Sequence, residues 1–164
     1  MSRQHIISML LENEAGALSR VAGLFSARAY NIESLTVAAT LDPSLSRLTL
    51  VTVGNDETIE QIKKQLNKLI DVVKLIDLSE SFSLEREMTL VKVKESDVIR
   101  SKIDALGKDC LACITDETDG YFVLELSGEK VWIDEFLASI VDDVIEVVRS
   151  GVIGLSRGER SLTL

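Results

Sequence analysis

Four residue types are scarce in these 164 residues: histidine (one), proline (one), cysteine (two) and the aromatics (4%). The single histidine, His5, leaves little for acid–base chemistry, and there is no G-x-S-x-G elbow, phosphate loop or pair of carboxylates on a recognisable frame. The acidic residues fall mostly at turns and on helix faces, so catalysis by this chain alone is not expected. A lone proline beside 46% hydrophobic residues argues against disorder. No apolar run of about eighteen residues exists, so no membrane span is expected. Residues 1–5 lead into a strand without the apolar region and cleavage site of a signal peptide, which points to the cytoplasm. Positive charge is outnumbered 18 to 27, giving a net charge of -9. That is the wrong sign for a phosphate-tracking surface, and Arg149, Arg157 and Arg160 are too few to reverse it, so nucleic acid is not an expected partner.

Cys110 and Cys113 form a C-x-x-C, but in a β-like run residues three apart point to opposite faces, and no second cysteine pair completes a tetrahedral zinc site. The expectation is two buried or half-buried free thiols in a reducing compartment, with no metal site.

What is present is strong patterning. Ile6 to Leu11 is an apolar run too short for a helix, closed by Glu12-Asn13-Glu14, which suits a central strand covered on both faces. After Gly16, the residues Leu18, Val21, Ala22, Phe25 and Ala29 recur at steps of three and four, the mark of an amphipathic helix. The turn between them permits a positive φ at Gly16, and the free N–H groups of the helix's first turn, at the positive end of its dipole, attract a carboxylate. Asn13 both donates and accepts, which suits an amino-acid zwitterion. An ordinary strand-to-helix turn, with Gly16 serving geometry and Asn13 a local bond, has the same features, and on the residues alone that simpler reading comes first.

The chain continues with a half-buried strand over Ile32 to Leu41, a turn at Asp42-Pro43-Ser44, and a strand over Leu48 to Val53. Asp56 is the expected N-cap of a helix with the stripe Ile59, Ile62, Leu66, Leu69 and Ile70, and Val72 to Leu78 is a fourth strand. The order β-α-β-β-α-β repeats in shorter form. Met88 to Lys94, Asp97 to Leu106 with Gly107 as its stop, Leu111 to Thr115, Tyr121 to Leu126, Trp132 to Val141 and Ile145 to Arg149 supply its elements. The expected fold is therefore α+β: two ferredoxin-like βαββαβ units, divided as 1–79 and 80–164. Each has helices on one side of its sheet. The apolar outer face of the first, including Ile6 and Leu10, needs a cover, for which two-fold association is the expected solution.

The stretch from Leu10 to Leu35, LLENEAGALSRVAGLFSARAYNIESL, closely resembles the small, regulatory subunits of acetolactate synthase (acetohydroxyacid synthase). In that family LLEN-x-x-GALSRV-x-GLFS opens an ACT domain and YNIESL starts the next strand. Similar blocks follow at Asp42 to Leu50, Glu85 to Val93 and Arg149 to Gly158, in the family's order. At Ala29 the family usually has glycine, so the local helix end is where a difference is expected.

The resemblance implies an ACT domain over 1–79, a homodimer formed through such domains, and an effector amino acid, valine, at their joint. Leu11, Asn13, Ala15, Gly16, Ala17 and Leu18 would hold it from one subunit, and Asn31 and Ile32 from the other. Asn31 is equally readable as a turn residue. The resemblance further implies a separate catalytic large subunit carrying thiamine diphosphate, Mg and FAD, activated by this chain and feedback-inhibited through it in branched-chain amino-acid biosynthesis. The chain itself would carry no cofactor. A free-standing ACT-type sensor of a different enzyme is the alternative. A sensor acting on transcription would need a DNA-reading domain, for which two β/α units leave no residues.

Overall fold

The computed structural model describes residues 2–80, 82–106 and 111–164. The helix stop expected at Gly107 and the Cys110 half of the C-x-x-C lie outside them. The chain forms two compact units, one of residues up to Leu84 together with Val152–Leu164, the other Glu85–Gly151.

The first unit runs β1 (Arg3–Glu12), α1 (Ala17–Ala27), β2 (Ser34–Ala39), β3 (Leu45–Gly54), α2 (Asp56–Leu66) and β4 (Val72–Asp77). Its antiparallel sheet has the order β2-β3-β1-β4, so β1 lies inside it, as its unbroken apolar run predicts. Alternate residues of β1 serve two cores. Ile7, Met9 and Leu11 face the helices and pack with Val21, Phe25, Ile59, Ile62 and Leu66. Ile6 and Leu10 face the other way. His5 is buried at this strand's start. Arg3 Nε donates to its Nε2, which leaves the proton on Nδ1, 3.2 Å from Asp77 Oδ2.

Three local expectations shift by a residue or more. The buried face of α1 is Ala17, Val21, Leu24 and Phe25, whereas Leu18 is 42% exposed, because the helix begins at Ala17 and its inward face is counted from there. The N-cap of α2 is Asn55 and not Asp56: Asn55 has the extended backbone of a cap, and its Oδ1 accepts from Thr58 N–H at 2.8 Å. That helix ends at Leu66, which leaves Ile70 87% exposed and off the stripe. At the end of α1 the Tyr30 N–H donates to Phe25 O and the Ala29 N–H to Ser26 O, a Schellman closure that puts Ala29 at φ 55. This is the conformation glycine adopts without strain.

The second unit repeats the topology with β5 (Ser83–Lys94), α3 (Asp97–Asp104), β6 (Leu111–Thr118), β7 (Tyr121–Gly128), α4 (Lys130–Ser139) and β8 (Val144–Arg149), in the order β6-β7-β5-β8. Asp119 and Gly120, at φ 55 and 82, make the β6–β7 hairpin turn. Val91, Val93, Ile99, Phe122, Leu124, Leu126 and Phe136 form its core. The Arg149 guanidinium joins β8 to β5 and α4. Its Nε and Nη2 donate to the two oxygens of buried Glu87 at 2.9 and 2.7 Å, and its Nη1 to Asp134 at 2.6 Å. Cys113 is exposed, not buried or half-buried, because β6 is an edge strand and Cys113 stands opposite Glu125 on the face away from the helices.

After Gly151 the chain returns to the first unit, and β9 (Ile153–Ser156) is part of that return. Val152 and Leu162 are buried with Ile6, Leu10, Leu45, Val51, Ile76 and Leu78. Arg47 Nη2 donates to Gly154 O at 3.0 Å and Lys74 Nζ to Thr163 O at 2.7 Å. The outer face of the sheet, expected to need a second copy, is thus covered over Ile6 and Leu10 by this chain's own segment. Residues 152–164, assigned from sequence to the second half, pack with the first. Burying Val152 and Leu162 contributes about 1.5–3 kcal/mol each.

Two stability changes follow from these contacts. Ala29→Gly relieves the left-handed residue and is expected to raise the unfolding free energy by about 1 kcal/mol, read as a higher urea midpoint. Arg149→Met leaves Glu87 buried without its partner and is expected to cost about 2–4 kcal/mol, read in the same titration.

Candidate functional site

The turn at the end of β1 is built by three short-range constraints. Glu12 N–H donates to Asp71 O at 2.9 Å and Asn13 N–H to Ser44 O at 2.7 Å, tying the strand's end to its neighbours on both sides. Gly16, at φ 93 and ψ -12, is the N-cap of α1 and offers no side chain to cap it. Ala17 N–H turns back to Glu14 O, and the first-turn N–H groups of Leu18 and Ser19 have no carbonyl inside the helix to bond.

The Asn13 amide is engaged within the chain. Its Nδ2 donates to Pro43 O at 3.0 Å and its Oδ1 accepts from Ser46 Oγ at 3.0 Å. Of the simpler reading of this loop, the local bond is therefore real, and Asn13 joins the β1 end to the β2–β3 hairpin. One Nδ2 hydrogen remains beyond the Pro43 bond. Beside the loop lies an open cavity of about 440 Å³, walled by Glu12, Asn13, Glu14, Ser44, Val73 and Leu164. Of the expected site residues, only Asn13 reaches it.

The remaining expected residues divide into two groups. Ala15, Gly16 and Leu18 are exposed in the turn, while the side chains of Leu11 and Ala17 point into the core and offer the turn only their backbone. Asn31 and Ile32 stand elsewhere. The register sets Ser34 opposite Val51 and Val51 opposite Ile6, and Ala39 opposite Ser46 and Ser46 opposite Leu11. Asn31 and Ile32 therefore lie beyond the Ile6 end of the sheet, at least about 17 Å along the strands from the turn at the Leu11 end. Asn31 Nδ2 donates to Glu33 at 2.5 Å, and its carbonyl accepts from Thr52 Oγ1 at 2.6 Å. Ile32 packs half-buried on the helix-side core. One chain does not bring the two groups together.

A pair that residue patterns did not single out lies against the turn. Arg20 Nε and Nη2 donate to the two carboxylate oxygens of Asp71, each at 2.5 Å. This bond lowers the Asp71 pKa and raises that of Arg20, with Glu14 and Glu12 adding smaller contributions to the latter. The signal for Arg20 was present in its spacing, one helical turn after Gly16. Asp71 carried none, because its role depends on the distant pairing of β1 with β4.

Residues 7–74 match the family described as AHAS small subunit-like ACT domain, and residues 86–158 match the family described as small subunit of acetolactate synthase. The chain belongs to the acetolactate synthase small-subunit family. It is 50% identical to the acetolactate synthase isozyme 3 small subunit of Escherichia coli, over 96% of this chain and 98% of that one. It is 48% identical to the acetolactate synthase small subunit of Haemophilus influenzae, over 97% and 99%. The crystal structure of the acetolactate synthase small subunit of Thermotoga maritima superposes with a TM-score of 0.85 at 34% identity, covering 96% of this chain and 99% of that one. The small-subunit family thus accounts for both β/α units. Among the described residues no cluster of three or more His, Cys, Asp or Glu could hold a metal ion, and no helix is long and apolar enough to cross a membrane.

The depressed Asp71 pKa gives a signed pH dependence. A carboxyl whose folded value lies below its unfolded value of about 3.9 contributes stability that is full above that value and is lost as pH falls through the folded one. The gap in thermal midpoint between the parent and Asp71→Asn is expected to be full at pH 7 and to narrow below about pH 4. Calorimetry across that range checks it, and a gap independent of pH would show that the pair contributes no charge-dependent stability.

Proposed function

We propose that this chain activates the thiamine-diphosphate-dependent catalytic subunit of acetolactate synthase and makes it sensitive to valine, supplying no catalytic group of its own. Thiamine diphosphate, Mg and FAD belong to the catalytic partner on this reading. The observation that carries it is the glycine-bent turn at the open end of β1, in a chain that matches small subunits over nearly its whole length. First-turn N–H groups suit the effector's carboxylate, and the exposed Leu18 side chain offers an apolar surface to a branched one. Discrimination among branched side chains is limited to about 1–3 kcal/mol per methylene, so leucine and isoleucine compete weakly at the same place.

The effector site is shared between two copies. Asn31 and Ile32 at the start of β2 and the turn beyond Leu11 lie at opposite ends of one sheet. The exposed edge strand β2 offers Val37, Ala38 and Ala39 for pairing. An antiparallel pairing of two β2 edges sets the start of one β2 level with the end of the other, next to the partner's turn. Valine that prefers the low-activity arrangement by about 1–3 kcal/mol then shifts the whole complex toward it.

The decisive assay measures acetolactate formation by the catalytic subunit alone, with this chain, and with this chain plus valine. Stimulation that valine reverses is the expected result, whereas proteins that fail to associate would return the chain to a sensor of another enzyme. Gly16→Asp sets a carboxylate where the effector's own should sit and is expected to abolish valine inhibition while leaving activation in place. Full valine sensitivity in that folded variant would remove the turn from the site. Mixing Gly16→Asp chains with Asn31→Asp chains tests the sharing. Mixed dimers keep one intact joint in two, so part of the valine binding lost by each variant alone is expected to return.

A further inference from the structure

Arg20 follows Gly16 by one helical turn, and helical side chains lean toward the helix N-terminus, which lays its guanidinium over the bare Cα of Gly16. A Cβ on Gly16 would stand 3.0 Å from Arg20 Nη1 and 3.6 Å from Cζ. Nε and Nη2 are committed to Asp71. The Asp71 side chain is 3% exposed and that of Arg20 46%, so the pair is anchored on its buried member and open on the arginine side. Nη1, which carries no bond to Asp71, is the nitrogen turned toward the turn.

On the reading of this turn as the effector site, we propose that Arg20 recognises the effector's carboxylate through Nη1, with Asp71 as the positioning residue that holds the guanidinium over Gly16. The fork geometry of arginine allows this division, since two of its nitrogens grip one carboxylate while the third addresses another. The absence of a side chain at Gly16 then has a second purpose beyond its positive φ: it lets the guanidinium close onto the turn, where a Cβ would crowd Nη1 at 3.0 Å, so that Nη1 stands beside the first-turn N–H groups. Glu12 and Glu14, exposed on the same turn, supply the negative charge that an effector's ammonium group requires. The site selects an α-amino acid by its charges at both ends, and Arg20 sets the demand for the carboxylate.

The test uses the full chain and isothermal titration with valine and with valinamide, which lacks the carboxylate. Arg20→Lys keeps the charge but cannot grip Asp71 with two nitrogens and face Gly16 at once. It is expected to weaken valine binding about 10- to 100-fold, the range of a lost charge-assisted hydrogen bond. Arg20→Met combined with Asp71→Leu removes the pair without stranding a buried charge, which keeps the fold while abolishing the contact. In both variants the preference for valine over valinamide is expected to shrink toward that of a carboxylate-blind site, a change that a purely structural role of the pair would not produce. Valine affinity within about 2-fold of the parent in the folded double variant, with Gly16→Asp still abolishing binding, would overturn the role of Arg20 alone. A parent chain that binds no valine, or a Gly16→Asp variant that binds it normally, would overturn the effector reading of the turn and this inference with it.

Discussion

A strand buried on both faces has to be covered twice, and β1 is that strand. Ile7, Met9 and Leu11 need the helices, while Ile6 and Leu10 need something on the other side. Each demand is met by a different part of the chain. The helices come from the residues immediately following, and the second cover comes from Val152 and Leu162, more than a hundred residues further on. The turn that follows β1 inherits its position from this double burial. Its entry is fixed by Glu12 and Asn13 bonding to the flanking strands, and its exit by a helix whose inward face is already spoken for. What is left free is a short arc of backbone from Glu14 to Gly16, the part with no core duties.

The two units show how far one topology constrains behaviour. Both order their strands in the same way and both place two helices on one face. They differ at the first strand-to-helix connection. In the first unit it is a glycine cap at positive φ with no capping side chain, and in the second a serine, Ser96, whose side chain accepts from Ile99 N–H. A helix end already satisfied by its own serine has fewer donors to offer a ligand. The two halves therefore differ at single residues, with the fold held constant.

Much of this was legible in the sequence where the determining physics is local. Periods of two and three to four residues gave the elements and their order, and hence the fold class. The run from Ile6 to Leu11 announced a central strand, and Ala29 in place of glycine marked the strained helix end, which the structure places at φ 55. Failures came where a neighbour one residue away or a hundred away decides. Asn55 and Asp56 are both good caps, and only the backbone conformation chooses between them. Cys113 lies in an apolar run, yet its exposure depends on β6 being an edge. The cover over Ile6 and Leu10 was misassigned because no local pattern tells Val152 and Leu162 which sheet to join. For the same reason Gly16 drew attention at once, whereas Asp71 did not.

The return of Val152–Leu164 makes the second unit an insertion within the first. During synthesis the first unit's six elements emerge early, but the residues that close the outer face of its sheet emerge only after the whole second unit has been made. At about 5–20 residues per second that interval lasts several seconds. Throughout it the nascent chain presents an apolar sheet face around Ile6 and Leu10 with no cover of its own. The unit begun first is completed last, and the time in between is when this protein is most exposed to chaperones and to wrong partners.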